Sequence, residues 1–129
     1  RKLFLTYIVD PQGNYLTLNY DAQMRLISVQ DATQRITSFS YQAANPLLIT
    51  RVTDPFGRYA SMTYDAGGRL ASVTDVLGLT SSFTYNASGL VSAMATPYGS
   101  SGFASTESGT TRTLAMTDPM GFTEVVQFV

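Results

Sequence analysis

Val-Thr-Asp-Pro-Phe-Gly-Arg-Tyr-Ala-Ser-Met-Thr-Tyr-Asp-Ala-Gly-Gly-Arg-Leu-Ala-Ser-Val-Thr-Asp, residues 52 to 75, carries the plan of the chain in miniature. It holds two bends joined by alternating residues. At Asp54-Pro55-Phe56-Gly57, proline pre-sets φ for the second position of a turn, aspartate bonds the backbone ahead of it, and glycine closes the bend. At Tyr64-Asp65-Ala66-Gly67-Gly68 a second bend follows an aromatic residue, and glycine supplies the positive φ. Between the bends, Met62 and Tyr64 alternate with Thr63, which is the period of two of a β-strand.

Working outward, the same arrangement recurs. Asp10-Pro11-Gln12-Gly13 precedes Tyr20, Asp31 precedes Tyr41 without a glycine in the turn, and Asp75-Val76-Leu77-Gly78 precedes Tyr85. Asp118-Pro119-Met120-Gly121 has Phe128 in the aromatic slot, and Thr96-Pro97-Tyr98-Gly99 is a degenerate copy. The starts at 10, 31, 54, 75, 96 and 118 are spaced by 21, 23, 21, 21 and 22 residues. A fixed period of this kind marks a repeat architecture. The second bend recurs as Tyr85-Asn86-Ala87-Ser88-Gly89. Met24 and Asn45 stand where the other units have glycine; asparagine tolerates positive φ and methionine does so poorly, so the bend at Met24 is expected to have its own geometry.

Within each unit, Leu18, Phe39, Met62, Phe83 and Val126 lie two before the aromatic slot and share its side of the sheet. Thr17, Asn19, Ser38, Ser40, Thr63, Thr84 and Gln127 face the other side. The return strands carry Leu26, Ile49, Leu70 and Val91 five before the next bend, then Val29, Val52, Val73 and Met94 two before it. An offset of three breaks alternation, so a β-bulge or a turn-edge residue is expected at the Leu slot. The expected fold is all-β: a meander of short antiparallel hairpins of about 21 residues, laid unit after unit as a curved ribbon. Residues 1–129 read as a single array of about six repeats cut from a longer chain. Residues 99–112, rich in Ser, Gly and Thr, read as an irregular, loop-like insertion. The recurring tyrosines are expected to pack on one another across strands as the main cohesive element.

The chain has 129 residues, 13% charged, 44% hydrophobic, with a formal net charge of -1. The charged share is about half the usual ~25%. No apolar run approaches the ~18 residues of a membrane-spanning helix, and no Lys/Arg cluster offers the concentrated positive charge that nucleic acid requires. Neither a membrane span nor a nucleic-acid partner is therefore expected. Cysteine and histidine are both absent. This excludes disulfides, thiolate zinc sites, thiol nucleophiles and the commonest general base and metal ligand. No basic segment followed by an apolar one opens the sequence, so no targeting signal is expected within it.

All seven aspartates (Asp10, Asp21, Asp31, Asp54, Asp65, Asp75 and Asp118) lie at bends, where capping of the backbone accounts for them without chemistry. One carboxylate per bend, next to proline, gives too few oxygens for calcium. Arg25, Arg58 and Arg69 are expected to pair with the aspartate of their own bend. No catalytic, cofactor-binding or metal-binding residue is assigned, and no cofactor is expected.

The pattern Val-Thr-Asp-Pro-x-Gly-Arg…Tyr-Asp-x-x-Gly-Arg-Leu-x-Ser-Val-Thr-Asp resembles the YD repeat of Rhs proteins. Such repeats occur in bacterial Rhs polymorphic toxins, the B and C components of insecticidal Tc toxins, and the teneurin shell. The resemblance is most specific over residues 52–89 and weakens at Gln34 and over 99–112. It implies a β-ribbon spiralling into a hollow shell around a C-terminal toxin or effector, in a secreted or cell-surface bacterial protein. The implied partners are neighbouring repeats of the same chain and the enclosed polypeptide. The aspartate-based self-cleavage segment of that family has no counterpart: Phe122 follows Asp118-Pro119-Met120-Gly121 where that signature has Leu. The rival reading is a non-enzymatic carbohydrate-binding or adhesion repeat using exposed aromatic residues such as Tyr98 and Phe103.

Overall fold

The computed structural model describes residues 3–129, which form strands and turns without a helix. The strands are β1 (Tyr7–Val9), β2 (Tyr15–Tyr20), β3 (Leu26–Gln30), β4 (Ile36–Tyr41), β5 (Ile49–Thr53) and β6 (Tyr59–Tyr64), then β7 (Leu70–Thr74), β8 (Thr80–Tyr85), β9 (Val91–Thr96), β10 (Gly99–Ser108), β11 (Thr111–Thr117) and β12 (Thr123–Phe128). The chain divides into two units, Arg1–Met62 and Thr63–Val129. In the first, β1 to β6 pair antiparallel with their chain neighbours. In the second, β7 to β12 do the same. The expected all-β meander is the fold observed.

The bends explain why strands form where they do. The two bend signals of each unit turn out to be a single kind of loop. At Asp10, Asp21, Asp31, Asp54, Asp65, Asp75, Asn86 and Asp118, the carbonyl accepts from the N–H three residues on. The N–H of the same residue donates to the carbonyl four residues on, with all these bonds at 2.8–3.1 Å. This is the three-residue hairpin loop in which a β-turn is followed by a left-handed residue. Gly13, Gly57, Gly68, Gly78, Gly89 and Gly121 hold that last place, at φ 77 to 89°.

Met24 overturns the expectation of a separate geometry. It sits at φ 61° in the same loop, and Gln34 does likewise at φ 68°. The hydrogen bonds of the capped turn outweigh the ~1–2 kcal/mol that a side chain costs in this region. One bend that does differ is that containing Asn45. There Leu48 N–H donates to Asn45 O at 3.1 Å, and Gln42 N–H to Leu48 O at 2.8 Å. These extra residues account for the one spacing of 23.

The expected bulge is present. Tyr20 faces Leu26 while Asn19 faces Ser28, so Ile27 is the extra residue. Thr50 is extra between the Tyr41–Ile49 and Ser40–Arg51 pairs, and Ser92 between Tyr85–Val91 and Thr84–Ala93. Each bulge resets the alternation, which is why the apolar slots on the return strand stand three apart.

Residues 99–112 are not an irregular loop. They form β10 and the start of β11, a long hairpin closed by Gly109-Thr110 with Ser108 opposite Thr111. Neighbouring strands offer backbone partners to any residue with φ and ψ near the β region, so small polar residues are recruited without an apolar pattern of their own.

Packing is cross-strand. On the aromatic side, Leu18 faces Val29, Phe39 faces Val52, and Phe83 faces Met94. Each such pair contributes roughly 0.2–1 kcal/mol. On the other side polar groups pair: Asn19 Nδ2 with Ser28 Oγ at 3.1 Å, Thr63 with Ser72 at 2.6 Å, and Thr84 with Ser92 at 3.1 Å. Among the described residues no side chain is fully buried, apolar or polar. Each unit is a single layer, and its apolar side has no second layer against it.

Candidate functional site

The residues with the greatest chemical capacity are the bend aspartates, and their environments are alike. In all seven Asp bends, and in the Asn86 bend, one side-chain oxygen accepts the N–H groups two and four residues on, at 2.8–3.0 Å. The second carboxylate oxygen takes a side chain in four of them. Arg25 lies 2.6 Å from Asp21 Oδ2, Arg58 2.6 Å from Asp54 Oδ2, Arg69 2.7 Å from Asp65 Oδ2, and Asn14 Nδ2 donates to Asp10 Oδ2 at 2.9 Å. The expected local Arg–Asp pairs are thus present.

At Asp10, Asp21, Asp31, Asp54 and Asp65 these bonds hold the carboxyl below its ordinary range. For Asp21, Asp31 and Asp65 the main cause is the N–H of the residue four positions on. For Asp10 it is the Asn14 side-chain amide. At Asp54 desolvation pushes the other way, and the Arg58 guanidinium with the Phe56 and Arg58 N–H groups outweighs it. A base whose proton affinity is lowered and whose lone pairs point into its own turn is poorly suited to proton transfer. Among the described residues, no three carboxylates gather where they could hold a metal ion.

The tyrosines do something that the residue pattern did not announce. Among the described residues, Tyr20, Tyr41 and Tyr85 make no ring contact with one another. Tyr20, Tyr41 and Tyr85 each donate the phenol hydroxyl to the carbonyl of the residue fifteen positions earlier, Leu5, Leu26 and Leu70, at 2.7–2.9 Å. A guanidinium covers the ring face in two of them: Arg25 lies 4.8 Å from the centre of Tyr41, and Arg69 4.6 Å from that of Tyr85. At Tyr20 the corresponding place is filled by Phe4, with ring centres 5.4 Å apart. One arginine therefore joins the aspartate of its bend to the tyrosine of the next repeat. At Tyr41 the accepting residue, Leu26, is the one beside which the β2–β3 register shifts. A signal existed in the sequence: Arg-Leu follows the bend, and Tyr stands fifteen residues beyond that Leu.

Tyr98, a candidate of the carbohydrate reading, is 83% exposed on a two-residue bend. Phe103, the other candidate, lies in the middle of β10, facing Met116. The structure does not bring the two together as a platform. Phe103 instead lines an open apolar groove of about 620 Å³ with Phe83, Met94, Leu114 and Val126.

Among the described residues, no helix is long and apolar enough to cross a membrane. In comparisons with known proteins, the RHS Repeat family matches residues 47–80 and 64–101. The fold is similar to that of the Tc holotoxin pore of Photorhabdus luminescens, solved with a point variant of TccC3. The TM-score is 0.57 at 15% identity, over 92% of this chain and 6% of that one. At this identity the likeness is one of fold, and the chain spans a small part of the toxin chain's length. Comparison with curated proteins gives no match. Residues 47–101 thus match RHS repeats, and the same capped bends and antiparallel hairpins are present in the segments before and after them.

Proposed function

We propose that this array is a non-enzymatic stretch of wall in a YD/Rhs β-shell, and that the shell contains a C-terminal toxin or effector until delivery. The observation that carries the reading is the single layer: apolar side chains on one side of each unit, with none fully buried. A free-standing domain hides such a side against a second layer. A wall has no need to, because its inner surface meets cargo and its strand edges meet further repeats. The bend aspartates support the same reading, since their oxygens are engaged in capping.

The mechanism is exclusion. Strands joined by hydrogen bonds along their shared borders keep a protease or a target from reaching the cargo. Secretion, a bacterial source and the enclosed partner belong to this proposal. The test is protease protection in the intact protein. The C-terminal segment is expected to resist proteinase K while the repeats are folded and to be digested once they are opened by urea. Digestion at the rate of the free segment, with the repeats folded, overturns the proposal.

A further inference from the structure

We propose that the recess between the β7–β8 and β9–β10 bends, built around Asp75 and Tyr98, takes the guanidinium of an arginine carried by an exposed segment of a partner polypeptide. This inference does not rest on the shell reading. The chain itself shows what a bend carboxylate and a tyrosine ring hold together. Arg25 lies 2.6 Å from Asp21 Oδ2 and 4.8 Å from the centre of the Tyr41 ring. Arg69 lies 2.7 Å from Asp65 Oδ2 and 4.6 Å from the centre of the Tyr85 ring. In both cases the arginine stands four residues after the aspartate. A planar guanidinium suits this double contact, since it bonds a carboxylate through its edge and covers an aromatic ring with its face.

At Asp75 the fourth residue on is Leu79, so this bend supplies no cation of its own. Asp75 Oδ1 accepts the Leu77 and Leu79 N–H groups at 2.8 and 2.9 Å, which fixes the carboxylate as in the other bends. Among the described residues, its second oxygen has no hydrogen bond or ion pair, and the Tyr98 side chain has no hydrogen bond or ring contact. Topology brings the two residues together, because the β7–β8 and β9–β10 bends lie at the same end of the second unit's sheet. Asp75 and Tyr98 line one recess of about 390 Å³, with Val73, Leu79 and Pro97 as its apolar walls. Leu77 in the same bend is exposed as well, so the fitting segment has apolar residues next to its arginine. A second copy fits less well. Among the described residues, Arg25, Arg58, Arg69 and Arg112 are ion-paired within the chain, and Arg35 and Arg51 lie over the rings of Phe56 and Tyr59.

The test uses the intact protein and the peptide trifluoroacetyl-Ser-Leu-Arg-Leu-Ser-amide, followed by broadening of its fluorine NMR signal. Saturable binding is expected. Citrulline in place of the peptide's arginine, which keeps the shape and removes the charge, should weaken it about fivefold. Asp75→Asn should weaken it about threefold without opening the bend, since asparagine caps the Asn86 bend with the same pair of bonds. Tyr98→Ala should also weaken it about threefold. Leu79→Arg, which sets a guanidinium four residues after Asp75 as Arg69 follows Asp65, should abolish binding, whereas Leu79→Gln should leave most of it. Absence of saturable binding, equal binding of the citrulline peptide, or binding unchanged in Asp75→Asn, Tyr98→Ala or Leu79→Arg overturns the proposal. So does self-association of the protein that Leu79→Arg abolishes, which would make a second copy the occupant.

Discussion

The hairpin of β7 and β8 and that of β10 and β11 are built on the same plan and differ in their bends. The first turns through Asp75-Val76-Leu77-Gly78, with Asp75 bonded to the Leu77 and Leu79 N–H groups, and its strands are five and six residues long. The second turns through Gly109-Thr110 without a capping carboxylate, and β10 runs for ten residues. A capped bend stops a strand at a defined residue; without one the strand continues until pairing runs out. Regular spacing of Asp-x-x-Gly is therefore what keeps neighbouring strands equal in length. Its loss over 99–112 leaves β10 with one edge unpaired beyond Gly102.

Acid is the broadest way to break this contrast. Asp10, Asp21, Asp31, Asp54 and Asp65 have lowered folded values, so their contribution to stability is complete above the ordinary carboxylate range. It is lost as pH falls through the lowered values. Amide protection factors, corrected for the intrinsic exchange rate at each pH, should fall at these five bends between pH 7 and pH 2. The Asn86 bend, whose cap does not titrate, and the Gly109-Thr110 bend should change little. A uniform fall in protection at all bends would mean that the caps are not what holds them.

Single substitutions give a descending series. Gly99→Ala should be the most damaging, at about 2–3 kcal/mol in urea denaturation: Gly99 has φ 130°, and an added Cβ would lie 2.5 Å from Pro119 Cβ. Pro119→Gly in the same chain should recover part of that loss. Gly78→Ala meets only the conformational cost, about 1 kcal/mol, because nothing lies within 4 Å of the added atom. Tyr41→Phe and Tyr85→Phe should each cost about 1 kcal/mol, for the hydroxyl-to-carbonyl bond that ties one repeat to the previous one. Met24→Gly and Gln34→Gly should stabilise by roughly 0.5–1 kcal/mol, since both residues stand at positive φ. Arg58→Ala should have the smallest effect, its side chain being 63% exposed.

How much could be read from the residues follows from which forces are local. The Asp-to-Tyr interval, the bends and the bulge at the Leu slot were legible, because turn chemistry and alternation act within a few residues. Met24 and Gln34 defied local preference because a complete set of turn hydrogen bonds, closed by the strands on either side, holds them in the left-handed region. The strand at Gly99-Ser100-Ser101-Gly102 was illegible for the reverse reason: its conformation comes from pairing with β9, joined by β11 at Gly102, while its own residues spell a loop. The Tyr-to-carbonyl bonds span fifteen residues, beyond the reach of local turn chemistry, so recognising tyrosine as packing material gave the right slot and the wrong interaction. The absence of a reaction centre was an expectation from composition. The reading of the bend aspartates as backbone caps was legible too, since an Asx bond forms within four residues.

The proposal that this array is wall is tested most directly by a cryo-EM reconstruction of the intact protein at side-chain detail. The account predicts one side of the sheet facing an enclosed space that contains cargo polypeptide, with further repeats hydrogen-bonded along its borders. A sheet whose apolar side is covered by a packed layer of its own helices or strands, as in an ordinary two-layer domain, would contradict it.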